Sequence, residues 1–112
     1  MYQMLTAFNL KPGTTIEAFE TALAVFTEHM LSEELITGTG PILRRDPSSG
    51  LDTDTERDHG YYFLTDFRDL AQSEAAFAYL EARGTHAWTI HRAVFAKTTD
   101  PLFLFWEKPD GD

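Results

Sequence analysis

Two segments of this sequence carry apolar side chains on both faces of an extended chain. In residues 61–67 (YYFLTDF) one face carries Tyr61, Phe63 and Phe67, and the other face carries Tyr62 and Leu64. Residues 102–106 (LFLFW) repeat the pattern. A sheet with one face in water alternates apolar and polar residues, so both faces of these strands must be covered. Each large apolar side chain left wet would forgo about 1.5–3 kcal/mol.

The length of 112 residues suits one domain, which we place at residues 1–107, followed by a flexible tail at 108–112. Nine basic and eighteen acidic residues give a net charge of −9, which would repel DNA or RNA. Cysteine is absent, which excludes disulfides and thiolate catalysis. Without a leader or an apolar run of about 18 residues, we expect a cytoplasmic protein with no membrane contact.

The apolar periodicities predict alternating strands and helices. Strands are expected at 2–10, 35–46, 61–67, 92–98 and 102–107, and helices from Thr14 to about 31–34 and from Asp69 to about 80–83. Thr14 begins a capping-box pattern that ends at Glu17. The strand at 35–46 is expected to bend between Gly38 and Pro41. Residues 85–91 (THAWTIH) are assigned to a connecting segment.

This order predicts an α+β, ferredoxin-like βαββαβ fold with an antiparallel sheet and an extra C-terminal strand. Two helices cover one face of such a sheet, so the apolar side chains on the other face need another cover. A second copy of the chain would supply it, and we therefore expect a homodimer. The alternative is that the C-terminal segment folds back over that face.

The opening segment Phe8-Asn9-Leu10-Lys11-Pro12-Gly13-Thr14-Thr15, a strand leading into a capped helix, resembles the start of dimeric α/β-barrel proteins. That superfamily includes the stress-responsive A/B-barrel and antibiotic-biosynthesis-monooxygenase types, and the whole sequence also resembles an uncharacterised bacterial group. The resemblance implies two ferredoxin-like subunits packed sheet against sheet. It also implies a cavity in each subunit between the sheet and the helices.

Some members of this superfamily are cofactor-free monooxygenases or haem-degrading enzymes with a polar cavity residue beside Trp or His. By resemblance Asn9 would be that residue, with Trp88, His86 or His91 nearby. The second helix carries Phe77 but no Trp or His, where those relatives place cavity groups. That departure argues against haem degradation, and Asn9 has the simpler interpretation of ending the first strand.

The abundance of aromatic residues predicts a cavity that binds a small apolar or aromatic molecule. Candidate ligand contacts are Phe8, Phe63, Trp88 and Phe95. His91 shares strand parity with Phe95, which would direct its ring into the cavity as a neutral base or as a hydrogen-bonded structural group.

Two alternatives to a binding protein stay open at this point. The first is a cofactor-independent monooxygenase or isomerase, with His91 as the base and Asn9 or Tyr62 as the polarising group. The second is a structural or stress-associated dimer without a ligand. Whether the chain is an enzyme is therefore undecided from the sequence, because a fold shared with enzymes does not define a reaction.

The acidic stretch from Asp52 to His59 departs from a calcium-binding loop. Counted from Asp52, Arg57 and Phe63 occupy the positions that require Gly and Glu. We therefore predict solvated loop charges, no metal site and no cofactor. The adjacent Arg44 and Arg45 point to opposite faces of a strand, and the favoured interpretation is pairing with acidic groups at the surface.

Overall fold

The computed structural model describes residues 1–109, which form one antiparallel sheet with three helices packed on one face. In chain order the elements are β1 (Tyr2–Leu10), α1 (Ile16–Ser32), β2 (Gly38–Thr39), β3 (Leu43–Arg44), β4 (Tyr61–Phe67), α2 (Leu70–Leu80), α3 (His86–Phe95) and β5 (Thr98–Glu107). The sheet order is β2-β4-β1-β5, and β3 pairs with the same edge of β4 as β2. The predicted ferredoxin-like α+β fold is confirmed.

The pairing register assigns each strand residue to one of two faces. Thr6 lies opposite Phe63 of β4 and Phe103 of β5, on the face that the helices cover, which we call the helix face. The other face, which no element within residues 1–109 covers, is called the open face. Its apolar residues are Leu5, Ala7, Leu43, Tyr62, Leu64, Leu102, Leu104 and Trp106.

The core lies between the helix face and the helices, in two clusters. The first consists of Phe8, Phe19, Leu23, Phe63 and Val94, and the second of Met30, Ile36, Phe67 and Ala76. The helix α1 contributes side chains to both clusters, so its burial fixes the whole helical layer against the sheet. In the first cluster the ring centroids of Phe8 and Phe19 are 4.3 Å apart.

The helices α1 and α2 each begin directly after a residue whose side chain caps the first turn. Thr15 caps α1, because its hydroxyl accepts a hydrogen bond from the backbone N–H of Ala18 at 3.1 Å. The predicted cap, Thr14, was one residue too early. Asp69 caps α2 as predicted, and its carboxylate accepts from the backbone N–H of Gln72 at 2.8 Å.

Residues 85–98 differ most from the sequence prediction. The connecting segment at 85–91 and the strand at 92–98 were both wrong, since His86–Phe95 form the helix α3. Thr85 caps it by accepting from the backbone N–H of Trp88 at 3.2 Å. Ala87 and Val94 lie two helical turns apart and are both buried, a spacing that suits a helix packed on α1.

The strand β5 corrects the prediction of an extra C-terminal strand. It runs from Thr98 to Glu107 beside β1, so the segment at 102–107 belongs to the last strand of the basic fold. Its register shifts opposite the stretch from Ala7 to Asn9, which is a β-bulge. Asp100, with φ +53°, lies in that bulge and precedes Pro101.

The predicted bend at Gly38 to Pro41 is confirmed, because β2 and β3 are separate short strands along β4. After β3 the loop is held by Arg45, whose guanidinium donates to both oxygens of Asp52, at 2.6 and 2.8 Å. Farther along, Asp54 accepts from backbone N–H groups and pairs with Arg57, which lowers its pKa from 3.8 to about 2. The ion pair of Arg45 with Asp52 agrees with the surface pairing predicted for that arginine.

Part of the predicted tail can be placed. The backbone N–H of Lys108 donates to the carbonyl of Met1 at 2.9 Å, which continues the pairing of β1 with β5. The remainder of the predicted tail, at 110–112, lies outside the described residues. None of the helices formed by residues 1–109 is long and apolar enough to cross a membrane.

Candidate functional site

A cavity of about 350 Å³ lies between the helix face and the three helices. Its lining comes from both layers: Met4, Thr6, Leu23, Phe26, Thr27, Met30, Ile36, Thr39, Phe63, Thr65, Phe67, Ala76, Phe77, Leu80, Glu81, His91, Phe95 and Phe103. The lining residues that are classed as exposed are Phe77, Glu81 and Phe103, so the cavity opens to solvent between α2 and β5.

The chemistry of the lining is mostly apolar. Aromatic and aliphatic side chains form most of the wall, and the polar groups are four threonines, His91 and Glu81. Glu81 is the one lining residue with a charged side chain at neutral pH, and it stands at the mouth rather than in the interior. The lining contains no Lys or Arg, so the site offers no cation to a carboxylate or phosphate.

His91 reaches the cavity from α3. Its ring lies 5.3 Å from the ring of Phe26 and 5.0 Å from that of Phe95, measured between centroids. Burial lowers the pKa of His91 below its ordinary value of 6.5, because the apolar surroundings disfavour the charged form. The imidazole is therefore neutral near pH 7 and offers one donor and one acceptor nitrogen.

Thr6 reaches the cavity from the opposite side, in the centre of the sheet. It is 0% exposed, and its hydroxyl oxygen has no hydrogen-bond partner among residues 1–109. Thr6 was not among the site residues predicted from the sequence. The pattern that could have revealed it is the position of one hydroxyl between Met4 and Phe8 on an otherwise apolar side of β1.

Three of the predicted site residues line the cavity together: Phe63 and Phe95 among the ligand contacts, and His91 among the catalytic candidates. Phe8 does not line it, since its fully buried ring packs on Phe19 and Tyr61 in the core. Trp88 also lies outside the lining. Its ring faces the guanidinium of Arg92, at 4.8 Å from the ring centroid.

The two proposed partners of His91 lie elsewhere. The side-chain oxygen of Asn9 accepts from the backbone N–H of Gly60 at 2.8 Å, and its amide donates to Asp58 at 3.4 Å. Asn9 thus joins β1 to the loop before β4, and a Cβ at position 60 would lie 3.3 Å from its oxygen. Tyr62 pairs with Ala7 on the open face. The structure therefore does not bring His91, Asn9 and Tyr62 together.

A second polar cluster, which the sequence analysis did not assemble, joins the three helices beside the cavity. The imidazole Nε2 of His29 and the hydroxyl of Tyr79 are 2.8 Å apart. The ring of His86 meets that of His29 edge-on, with centroids 5.3 Å apart. None of these three side chains is in the cavity lining, and within residues 1–109 no group of three or more His, Asp or Glu is arranged to hold a metal ion.

The sheet order and the single helical layer define a ferredoxin-like α+β protein, and several solved structures of similar fold are described as dimers of unknown function. No family model matches the sequence, and no curated protein sequence matches it. The chain is similar to the Arabidopsis thaliana protein At3g17210, with a TM-score of 0.72 and 12% identity over 100% of this chain and 99% of that one.

Two further solved structures extend the comparison. A dimeric ferredoxin-like protein of unknown function from Jannaschia sp. CCS1 has a TM-score of 0.60 and 17% identity, over 96% of this chain and 98% of its own. The hydroxynitrile lyase from Passiflora edulis has a TM-score of 0.60 and 8% identity, over 99% of this chain and 95% of its own. At these identities the similarity shows the fold alone.

Proposed function

We propose that this protein binds a small, neutral, apolar or aromatic molecule in the cavity between the helix face and the helices. The observation that supports this proposal is an apolar cavity of about 350 Å³ that opens to solvent and has polar groups at few positions. Ligand sites typically combine an apolar wall with a small number of polar groups that orient the guest.

The size and charge of the cavity narrow the class of ligand. A cavity of about 150 Å³ accommodates benzene, so about 350 Å³ gives room for a molecule of two fused or linked rings. The net charge of −9 and Glu81 at the mouth both disfavour an anionic guest. A neutral ligand fits best.

We also propose that the protein is a homodimer, with the open faces of two copies packed together as in the dimeric α/β-barrel arrangement that the sequence resembles. Leu104 is 41% exposed and Trp106 is 56% exposed, although both belong to a continuous apolar surface. The described dimers among the similar structures support this assembly. A second copy is the occupant that would remove this surface from water.

The flat shape of the subunit also supports a second copy packed on the open face. Its principal extents are 43 × 40 × 19 Å, which correspond to one sheet and one layer of helices. The radius of gyration is 14.9 Å, whereas a compact domain of this length has about 13 Å. A flat two-layer subunit gains compactness when two sheets pack face to face.

The monooxygenase or isomerase alternative has less support than binding. It requires a polar group beside His91 that can polarise a substrate, and Asn9 and Tyr62 both lie outside the cavity. A neutral imidazole among aromatic rings is sufficient to orient a ligand without such a partner.

Fluorescence of the neutral two-ring probe 1-naphthylamine tests the cavity directly. Ala76 lines the cavity and is 1% exposed, whereas Ala75 is exposed on the same helix. Ala76→Leu fills part of the cavity and is expected to weaken probe binding by about 10-fold or more. Ala75→Leu, which adds the same atoms outside, should leave binding unchanged. Equal effects of the two variants would contradict binding in this cavity.

Native mass spectrometry of the freshly purified protein tests the assembly and looks for a retained ligand. We expect twice the mass of the chain, with any additional mass lost on denaturation. A monomer at micromolar concentration would overturn the homodimer. If the dimer also shows no saturable binding of the probe, the alternative of a structural dimer without a ligand replaces this proposal.

A further inference from the structure

Thr6 is a lining residue of the cavity, and its hydroxyl has no partner among the described residues. The side chain is fully buried, lines the cavity, and has no hydrogen bond to any residue in the range 1–109. A buried hydroxyl without a partner destabilises the folded chain, and native proteins keep few such groups. A hydrogen-bonding partner from outside the described chain would satisfy this hydroxyl.

The position of Thr6 explains why the sheet cannot satisfy it. The strand β1 is paired on both sides, by β4 and β5, so the backbone N–H and C=O groups around Thr6 are used in hydrogen bonds between strands. Directly across the two neighbouring strands on the same face lie Phe63 and Phe103. Along the strand the flanking residues on that face are Met4 and Phe8. The cavity is therefore the direction from which a hydrogen-bonding partner can approach.

We propose that Thr6 is the polar anchor of the ligand site and that the ligand carries one hydroxyl or carbonyl oxygen directed at the centre of the sheet. This assignment rests on the proposed binding function and specifies its ligand class: phenols, alcohols or ketones built on one or two rings. A threonine hydroxyl both donates and accepts, so it suits either oxygen type. Carboxylates and phosphates are disfavoured because the lining contains no Lys or Arg.

A pair of ligands of nearly equal shape tests the anchor. 2-Methylnaphthalene has a methyl group where 2-naphthol has its hydroxyl, and displacement of 1-naphthylamine gives a dissociation constant for each. Thr6→Val keeps the shape of the side chain and removes its hydroxyl. We expect this variant to reduce the preference for 2-naphthol over 2-methylnaphthalene by about 3- to 10-fold relative to wild type. Thr6→Ser keeps the hydroxyl and should retain the wild-type preference.

Thermal unfolding of the ligand-free protein provides a second measurement. Thr6→Val should raise the midpoint, because it removes an unpaired buried hydroxyl, and a lowered midpoint would mean that the hydroxyl is already satisfied and would overturn the assignment. An unchanged preference in Thr6→Val would also overturn it while leaving binding in the cavity intact. If neither compound displaces the probe from wild type, the proposed function fails and the anchor fails with it.

Discussion

The two faces of the sheet have similar apolar character but opposite surroundings. On the helix face the central residues are buried under three helices, and Phe8 and Phe67 are at most 2% exposed. On the open face Leu64 is half-buried and Trp106 is largely exposed, with nothing from the described chain packed over them. The hydrophobic effect acts on both faces equally, so the difference lies in what each face has available as a cover.

The two faces of the sheet also differ in what each one lacks. The helix face is covered, but the helices leave a cavity of about 350 Å³ with room for a small molecule, and within residues 1–109 the hydroxyl of Thr6 has no partner. The open face is uncovered across β4, β1 and β5, an extended surface that suits another sheet rather than a small molecule. The same strands would thus support ligand binding on one side and assembly on the other.

The largest expected effect concerns the covered face. Phe8→Ala removes a fully buried ring that packs on Phe19 and Tyr61, and it should lower the free energy of unfolding by about 3–5 kcal/mol. Denaturant unfolding at fixed protein concentration measures the change. Phe8→Leu should cost less than about 2 kcal/mol and leave probe binding intact, because this side chain does not line the cavity. Loss of probe binding in Phe8→Leu would restore Phe8 as a ligand contact.

The next effect concerns the open face. Leu104→Glu places a charge in the proposed interface in both copies and should raise the dissociation constant of the dimer by about 100-fold or more. The control is Val25→Glu on the outer side of α1, where the native side chain is 51% exposed. Both variants have the same net charge, so sedimentation velocity separates a local effect from general repulsion. Equal dissociation of the two variants would argue against the open face as the interface.

The fold class and the difference between the two faces of the sheet could be predicted from the sequence. The order of the strand and helix patterns predicted the fold class, and the two-sided apolar pattern of residues 61–67 and 102–106 predicted the need for a second cover. The helix α3 carries buried or half-buried residues at helical spacing, namely Ala87, Ile90, His91, Val94 and Phe95, yet its second half was assigned to a strand. A short apolar run is compatible with either a strand or a helix, and packing against α1 selects the helix.

The site was harder to predict than the fold. His91 was assigned to the cavity by strand parity, yet it reaches the cavity as a helix residue, so its location agreed with the prediction although the reason did not. The side chain of Asn9 bonds to Gly60 and does not line the cavity. This contact joins residues 51 positions apart, so no local sequence pattern predicts it. The sequence places Thr6 between Met4 and Phe8, but only the three-dimensional structure shows that its hydroxyl has no partner within residues 1–109.

The smallest expected effect is the pH dependence that His91 gives to the covered face. Its pKa in the folded chain is below 6.5 because of burial, while the unfolded chain has the ordinary value. As the pH falls below about 6.5, the unfolded state gains a proton that the folded state resists, so the free energy of unfolding decreases. Above that pH both states hold the neutral imidazole and His91 does not change the free energy of unfolding, whereas below it the destabilisation grows as the pH falls.

His91→Phe should remove this dependence while keeping an aromatic ring against Phe26 and Phe95. Denaturant unfolding of wild type and variant should therefore give parallel stabilities from about pH 9 to about pH 7, and the variant should gain relative stability towards about pH 5. None of the strands formed by residues 1–109 contains a histidine, so the open face has no matching group that titrates in this range. Parallel curves throughout would mean that the His91 imidazole is solvated in the folded protein, and the cavity would then be wetter than its lining indicates.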